Sequence, residues 1–255
     1  MGSVQRWSAL KGLNVLVLGD ELLEIVPAEI RERCGPAMCP VTDVGRVLWA
    51  ERLLAQGWPR VVWLDADLLI FDPAGFEIDL RPRLTLCREA WVSRTPRGLS
   101  VRFNVNNSVM AMGAGSHLTR YLDFARRRLL DASHRVGELS VGTPAFTRSH
   151  ARSPVPLADS VAMVNHLLIR DLNDGRSGAL RAQAAALGRP SCAAHFTHSY
   201  GRESPDRVRV AVGEAAFERA VERVLSSGGA VLQAGFHGER ALKQEPAEIG
   251  ASHPA

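Results

Sequence analysis

Residues 42–73 read TDVGRVLWAERLLAQGWPRVVWLDADLLIFDP and decide the fold. The first part has apolar residues at helical spacing, which predicts a helix capped by Thr42 or Asp43 and closing near Gly57. The short apolar run of residues 60–64 then predicts a buried strand. A helix that leads directly into a buried strand is typical of proteins that cover a sheet with helices.

The same alternation begins upstream. The run LNVLVLG, residues 13–19, predicts a buried first strand that ends at Gly19. Asp20 is then a candidate N-cap for a helix over residues 20–33. Strand, helix and strand in this order predict an α/β fold, with a mixed, mostly parallel sheet flanked by helices.

Size and composition fit one globular domain. The chain has 255 residues, of which 46% are hydrophobic and 23% charged, which argues against global disorder. We expect a single domain over residues 1–238 and a flexible tail over residues 239–255. The four cysteines form no CxxC pair, which indicates reduced thiols and a cytoplasmic location. No apolar run approaches the length of a membrane span.

Asp65 and Asp67 place two carboxylates one residue apart at the end of the second predicted strand. A buried carboxylate without a partner is costly, and two neighbouring ones repel each other. Ligand crevices of α/β sheets lie beyond the carboxyl ends of the strands, and oxygen ligands there suit Mg²⁺ or Mn²⁺. A metal ion would offset both the repulsion and the desolvation. The alternative is that Asp65 caps a turn while Asp67 faces water.

Residues 42–73 resemble the signature of the DXD glycosyltransferases of the GT-A fold, especially glycosyltransferase family 32 and more distantly the glycogenin-like family 8. Asp43 and Arg46 match the Ser/Thr-Asp-x-x-Arg start of the family's helix. Asp65 and Asp67 match its metal-binding turn. The Gly-Gly that precedes the strand in the family is replaced here by QGW.

Two later stretches resemble the same families. FNVNNSVMAMGAG, residues 103–115, is similar to the strand that presents an asparagine to the donor sugar, with Asn106 and Asn107 as the candidates. HFTHSYG, residues 195–201, resembles the HFxG element of family 8 and the HHWxxSW element of family 32. Either alignment makes His195 the leading histidine.

The resemblance implies a metal-dependent, retaining glycosyltransferase with a nucleotide-sugar donor. Asp65, Asp67 and His195 would bind Mn²⁺ or Mg²⁺, and the metal would act as Lewis acid on the donor diphosphate. Asp65, Asp67 and Asn107 are the expected catalytic residues. A UDP-sugar is the first choice of donor and GDP-mannose the second, with a small molecule or a glycan precursor as acceptor. Donor-binding positions implied by the resemblance are Leu18, Gly19, Asp43, Arg46, Asp65, Ala66, Asn106, Asn107 and His198.

Each of these residues also has a plainer interpretation. The pair Asp43 and Arg46 could be a surface i,i+3 ion pair, which is common and weak. His195 could be structural, and Asn107 could make a hydrogen bond at a strand end. Trp63 is expected to pack in the core.

Competing functions are less well supported. VLVLGDELLE, residues 15–24, mimics the first block of GDSL-type hydrolases, but Glu21 occupies the nucleophile position. A nucleotidyltransferase usually carries a Gly-rich basic loop after its first strand, whereas Glu21 and Glu24 follow Gly19 here. A nucleotide-sugar-binding module without transferase activity remains the non-enzymatic alternative.

Nucleic acid is not an expected partner. The net charge is +4, and the basic residues are scattered apart from the arginines of residues 126–128, which fit the polar face of a helix. This mild positive charge favours small acidic ligands such as nucleotides. A homodimer is compatible with the sequence.

Overall fold

The computed structural model describes residues 2–116, 118–196 and 212–233, and these form an α/β fold. In chain order the helices are α1 (Gly2–Leu10), α2 (Glu21–Glu24), α3 (Ala28–Cys34), α4 (Met38–Ala55), α5 (Leu118–Leu130), α6 (Thr143–Arg152), α7 (His166–Asp174), α8 (Gly178–Leu187) and α9 (Glu214–Ser226). The strands are β1 (Arg60–Leu64), β2 (Leu68–Ile70), β3 (Leu84–Thr95), β4 (Gly98–Gly113), β5 (Leu157–Ala158), β6 (Val161–Val164) and β7 (Ala193–Phe196). A short 3-10 helix, Ala230–Gln233, follows α9.

The described strands form two mixed sheets. One has the order β1-β4-β3-β5 and the other the order β2-β7-β6. The α/β class is confirmed, and the arrangement is compatible with a Rossmann-like fold. The sheets are not mostly parallel, however, because β4 runs antiparallel to both β1 and β3, and β2 runs antiparallel to β7. Only β3/β5 and β6/β7 are parallel among these strand pairs.

The predicted first strand is wrong. Residues 13–18 belong to no strand of the described structure. Three of their apolar side chains are exposed, with Val15 at 43%, Leu16 at 59% and Val17 at 49%. Leu13 alone of this run packs against a core cluster, and its N–H bonds to the carbonyl of Ser8. An apolar, β-branched sequence forms a strand only where a neighbouring strand accepts its hydrogen bonds.

The helix predicted over residues 20–33 is also divided. Pro27 separates α2 from α3, because proline lacks an N–H and disfavours the helical conformation of the residue before it. Asp20 stands at the start of α2 without a side-chain capping bond.

The next helix, α4, begins at Met38, so neither Thr42 nor Asp43 is its cap. Pro40 lies in the first turn, where a missing N–H leaves no hydrogen bond unmade. Asp43 therefore sits inside the helix and faces the interior, where it is 5% exposed. The helix ends at Ala55, close to the predicted end.

A bend in β4 shapes the site. β1 has the predicted bounds and pairs with the second half of β4, from Val109 to Gly113. The first half of β4 pairs instead with the far end of β3, and the β3/β4 register shifts between Thr85 and Cys87. The β3–β4 hairpin therefore extends past the end of β1 and lies beside Asp65.

An apolar cluster joins the two sheets. Ile70 of β2, Val109 of β4 and Val161 of β6 belong to it, together with Trp7 of α1. The Trp7 indole N–H donates to the carbonyl of Phe76 at 2.9 Å. This shared core fixes the end of β1 next to β7, which brings residues distant in sequence into one crevice. Within the described ranges, no helix has both the length and the apolar character needed to cross a bilayer.

Candidate metal centre

Asp65, Asp67 and His195 meet in one cluster. Asp65 follows β1, Asp67 lies in the turn before β2, and His195 is on β7 beside that turn because it pairs with Leu68. One ligand atom from each of the three side chains lies within 4.8 Å of the other two. The Nε2 atom of His195 is 2.9 Å from Oδ1 of Asp67 and 3.6 Å from Oδ2 of Asp65. The structure therefore brings together the three residues predicted as metal ligands.

Backbone hydrogen bonds hold the acidic turn on both sides. The N–H of Asp65 donates to the carbonyl of Ser108 at the bend of β4, at 2.9 Å. The N–H of Phe196 donates to the carbonyl of Asp67 at 3.0 Å, and the N–H of Leu68 closes the turn on the carbonyl of Asp65 at 3.1 Å. The two carboxylates are thus carried by backbone whose position is fixed.

The carboxylate of Asp65 has two further partners. The Trp63 indole donates to Oδ1 at 2.6 Å, and Nη1 of Arg46 lies 3.1 Å from the same oxygen. Burial alone would raise the pKa of Asp65, but the Arg46 charge and the hydrogen bonds outweigh it and lower the pKa to about 2. Trp63 therefore does more than pack. Its spacing of two residues from Asp65, which puts both on one face of an extended strand, is a signal that could have revealed this contact.

Arg46 connects Asp65 to a second buried carboxylate. Its Nη2 lies 3.5 Å from Oδ1 of Asp43, and its Nη1 donates to the carbonyl of Asn107 at 2.9 Å. The Asn107 amide donates to Oδ1 of Asp43 at 2.7 Å. Burial raises the pKa of Asp43, while Arg46 and Asn107 oppose the rise. The Asp43–Arg46 pair is therefore not a surface ion pair.

The charge state of His195 follows from its two acidic neighbours. Burial would lower the pKa of the imidazole, but hydrogen bonds to Asp65 and Asp67 raise it to about 10. A protonated Nε2 thus occupies the place between the carboxylates that a cation would take. The Nδ1 atom lies 3.2 Å from the sulfur of Met163, which is a weak acceptor. In the neutral ring Nδ1 can carry the proton and donate to this sulfur. The Nε2 atom is then unprotonated and available as the metal ligand.

The donor set fits a divalent metal. Two carboxylates and one imidazole suit Mn²⁺, and Mg²⁺ also accepts carboxylate oxygens. Three protein ligands leave coordination positions for oxygen atoms of a bound molecule. The observation that these residues could hold a metal ion agrees with the sequence-based prediction, whereas the identity of the ion stays a prediction.

The remaining predicted donor-binding residues lie in different surroundings. Ala66 is exposed between the two acids, Leu18 is half-buried and Gly19 is exposed. Asn106 contacts Glu89 rather than the acidic turn, since its amide donates to Oε2 of Glu89 at 2.7 Å. His198 lies outside the described residues. Glu89 belongs to no motif of the sequence, whereas Ser108 follows Asn107 inside the stretch 103–115 and takes part through its backbone.

Set against protein-family models, curated proteins and solved structures, the chain gives no match. The resemblance to glycosyltransferase family 32 therefore depends on the quoted motifs, and the geometry of the metal centre is the independent support for a function.

Proposed function

We propose that the protein is a metal-dependent, retaining glycosyltransferase of the GT-A type that moves a sugar from a nucleotide-sugar donor. A UDP-sugar is the favoured donor and GDP-mannose the second choice. The observation that carries this proposal is the convergence of Asp65, Asp67 and His195 on one point at the end of β1. The three side chains come from the end of β1, the β1–β2 turn and β7, three segments that meet only in the folded chain.

Each residue of the centre has a role that its contacts support. Asp65, Asp67 and His195 would hold Mn²⁺ or Mg²⁺, which supplies Lewis acidity towards the departing diphosphate. Arg46 keeps Asp65 ionised and oriented through the 3.1 Å contact. The Asn107 amide is committed to Asp43, and its Oδ1 has no partner among the described residues. That oxygen is the atom we assign to contact with the donor.

Retention follows as a hypothesis from the family resemblance. It requires front-face attack by the acceptor, with the leaving phosphate as base, because the two carboxylates described at the metal centre, Asp65 and Asp67, would serve as metal ligands. Asp65 and Asp67 are both occupied by their contacts with Arg46 and His195. An inverted product in the anomeric NMR signal would contradict this hypothesis.

The acceptor we propose is a small molecule or a glycan precursor in the cytoplasm. All four cysteines are free, which agrees with a reducing compartment. A nucleotidyltransferase is disfavoured because the Gly19 N–H, the donor that a phosphate-binding loop would use, bonds to the Glu21 carboxylate at 2.7 Å.

The test is nucleotide release from a panel of UDP- and GDP-sugars, measured with Mn²⁺, with EDTA and with the variant Asp67→Asn. We expect one donor to be turned over and expect chelation or the substitution to abolish its turnover. Donor binding without release for every acceptor tried would favour the binding-module alternative. If no nucleotide-sugar binds in the presence of metal, the proposed function is wrong.

A further inference from the structure

We propose that Glu89, Asn104 and Asn106 form a hydroxyl-binding subsite beside the metal centre that holds the sugar of the donor and selects among sugars. This inference rests on the proposed function and adds Glu89 and Asn104 to Asn106, which the family resemblance already implies as a donor-binding residue. The subsite belongs to the β3–β4 hairpin, where the hairpin extends past the end of β1.

The three side chains share one face of the hairpin. Glu89 pairs directly with Asn104 across the two strands, and Asn106 pairs with Cys87, two residues before Glu89. Alternating positions of a strand lie on the same face, so the three polar side chains converge. The Asn104 amide donates to Oε1 of Glu89 at 2.6 Å, and the Asn106 amide donates to Oε2 at 2.7 Å.

Glu89 is a buried carboxylate with no cationic partner among the described residues. Only 6% of the residue is exposed, and it makes no ion pair within the described part of the chain. The neighbouring Arg88 lies on the opposite face of the strand, 5.5 Å from the Phe103 ring. A buried carboxylate without a cation needs several hydrogen bonds, and its two oxygens together accept about four. Two amides leave acceptor capacity for groups of a ligand.

Hydrogen bonds connect the subsite to the metal centre. Asn106 accepts from the N–H of Ser108 at 2.5 Å, and the carbonyl of Ser108 accepts from the N–H of Asp65 at 2.9 Å. A single residue of β4, Ser108, thus links the Asn106 side chain of the subsite to the backbone of Asp65.

The chemistry of the subsite matches a neutral polyol. Glu89 offers acceptors, and Oδ1 of Asn104 is a further acceptor without a partner among the described residues. Sugar hydroxyls donate to such oxygens, whereas a phosphate would be repelled by the carboxylate. The diphosphate of a donor is thus directed to the metal centre and its sugar to Glu89. A sugar that lacks the hydroxyl facing Glu89 would leave the carboxylate underbonded and be rejected.

Sugar binding can be separated from nucleotide binding by comparing two dissociation constants. Calorimetry with Mn²⁺ would give the Kd of each nucleoside diphosphate and of its sugar conjugates, for the wild type, Glu89→Gln and Asn104→Ala. We expect Glu89→Gln to weaken the preferred nucleotide-sugar about tenfold or more, because a hydrogen bond to a charged group is lost. The Kd of the nucleoside diphosphate should stay within about twofold. Asn104→Ala should also weaken binding of the nucleotide-sugar and leave the Kd of the nucleoside diphosphate unchanged. It replaces Glu89→Gln as the test variant if Glu89→Gln fails to fold. Glu77→Gln, an exposed position paired with Lys11, is the matched control and should change neither Kd.

Two results would overturn the subsite. One is that Glu89→Gln and Asn104→Ala weaken the diphosphate and its sugar conjugate equally, and the other is that they weaken neither. If the wild type binds no nucleotide at all, the proposed function fails, and saturation-transfer NMR with free hexoses then decides the subsite separately. A hexose signal that is present in the wild type and absent from Glu89→Gln would support the subsite. A signal that is absent from the wild type, or unchanged in the variant, would refute it.

Discussion

Asp65 is held by more contacts than either of the other candidate ligands. Its carboxylate contacts the Trp63 indole and the Arg46 guanidinium. Its N–H donates to the carbonyl of Ser108. The side chain of Asp67, by contrast, is 34% exposed, and its one ion-pair partner within the described ranges is His195. Asp65 is therefore oriented before any metal arrives, while Asp67 completes the coordination.

The Trp63 indole is expected to matter for metal binding. Trp63→Phe keeps an aromatic ring but removes the 2.6 Å hydrogen bond to Asp65. Loss of a group that orients a ligand typically costs about 10–100-fold in metal affinity. A Mn²⁺ titration followed by electron paramagnetic resonance would measure it, with Trp58→Phe at an exposed position as control. Equal affinities for Trp63→Phe and the wild type would show that the indole only packs.

Arg46 should also contribute to folding stability. Arg46→Ala leaves Asp43 and Asp65 without their shared cation, and breaking a buried ion pair in this way typically costs about 3–5 kcal/mol. Urea denaturation would give the change in the free energy of unfolding. Arg81→Ala removes an exposed partner of Asp79 and should leave the free energy of unfolding nearly unchanged. If both variants change the free energy of unfolding by a similar small amount, the buried ion pairs of Arg46 do not stabilise the fold as proposed.

Metal affinity should depend on pH through His195. Without metal its pKa is raised to about 10, so the ring is protonated between pH 6 and 8. A metal can bind Nε2 only after that proton leaves, so affinity should rise about tenfold for each unit of pH. Mn²⁺ titrations at pH 6, 7 and 8 would show the slope. His195→Ala has no proton to displace, and its weaker binding should vary less with pH. A flat profile for the wild type would contradict the displacement of a proton from His195 by the metal.

At the scale of elements, the sequence predicts the helices and strands whose bounds depend on local patterns alone. β1 has its expected bounds and α4 ends close to its expected end, because an apolar run and an amphipathic repeat specify them. The predicted strand over residues 13–19 failed, since pairing is a tertiary property that no local pattern encodes. The helix predicted over residues 20–33 is split because Pro27 interrupts it.

The helix α6 reaches the site through a close contact at its start. A Cβ on Gly142 would lie 2.3 Å from Oδ2 of Asp43, whose carboxylate is held by Arg46 and Asn107 and has no room to move. Gly142→Ala should therefore destabilise the fold by about 1–3 kcal/mol, as overpacking does.

Thermal or urea unfolding of Gly142→Ala would measure this cost. Gly137→Ala is the matched control, because a Cβ there meets no atom within 4 Å. Two variants of equal stability would show that α6 can shift away from Asp43 at little cost.

At the scale of the whole molecule, the site depends on the packing of two sheets. The sequence identified the three candidate ligands and the pair of Asp43 and Arg46, because their residue types and spacing match a known pattern. It did not identify Glu89 or the role of Trp63. These roles arise from the long β3–β4 hairpin and from the bend of β4, which depend on contacts between distant parts of the chain. The homodimer stays a prediction.

The most direct test is a crystal of the protein soaked with Mn²⁺ and a nucleoside diphosphate, with diffraction recorded at the manganese absorption edge. An anomalous peak within about 2.0–2.3 Å of oxygens of Asp65 and Asp67 and of Nε2 of His195 is predicted, with diphosphate oxygens at the open positions. A fully occupied diphosphate site elsewhere, with no manganese among these three side chains, would contradict the metal centre and the transferase function built on it.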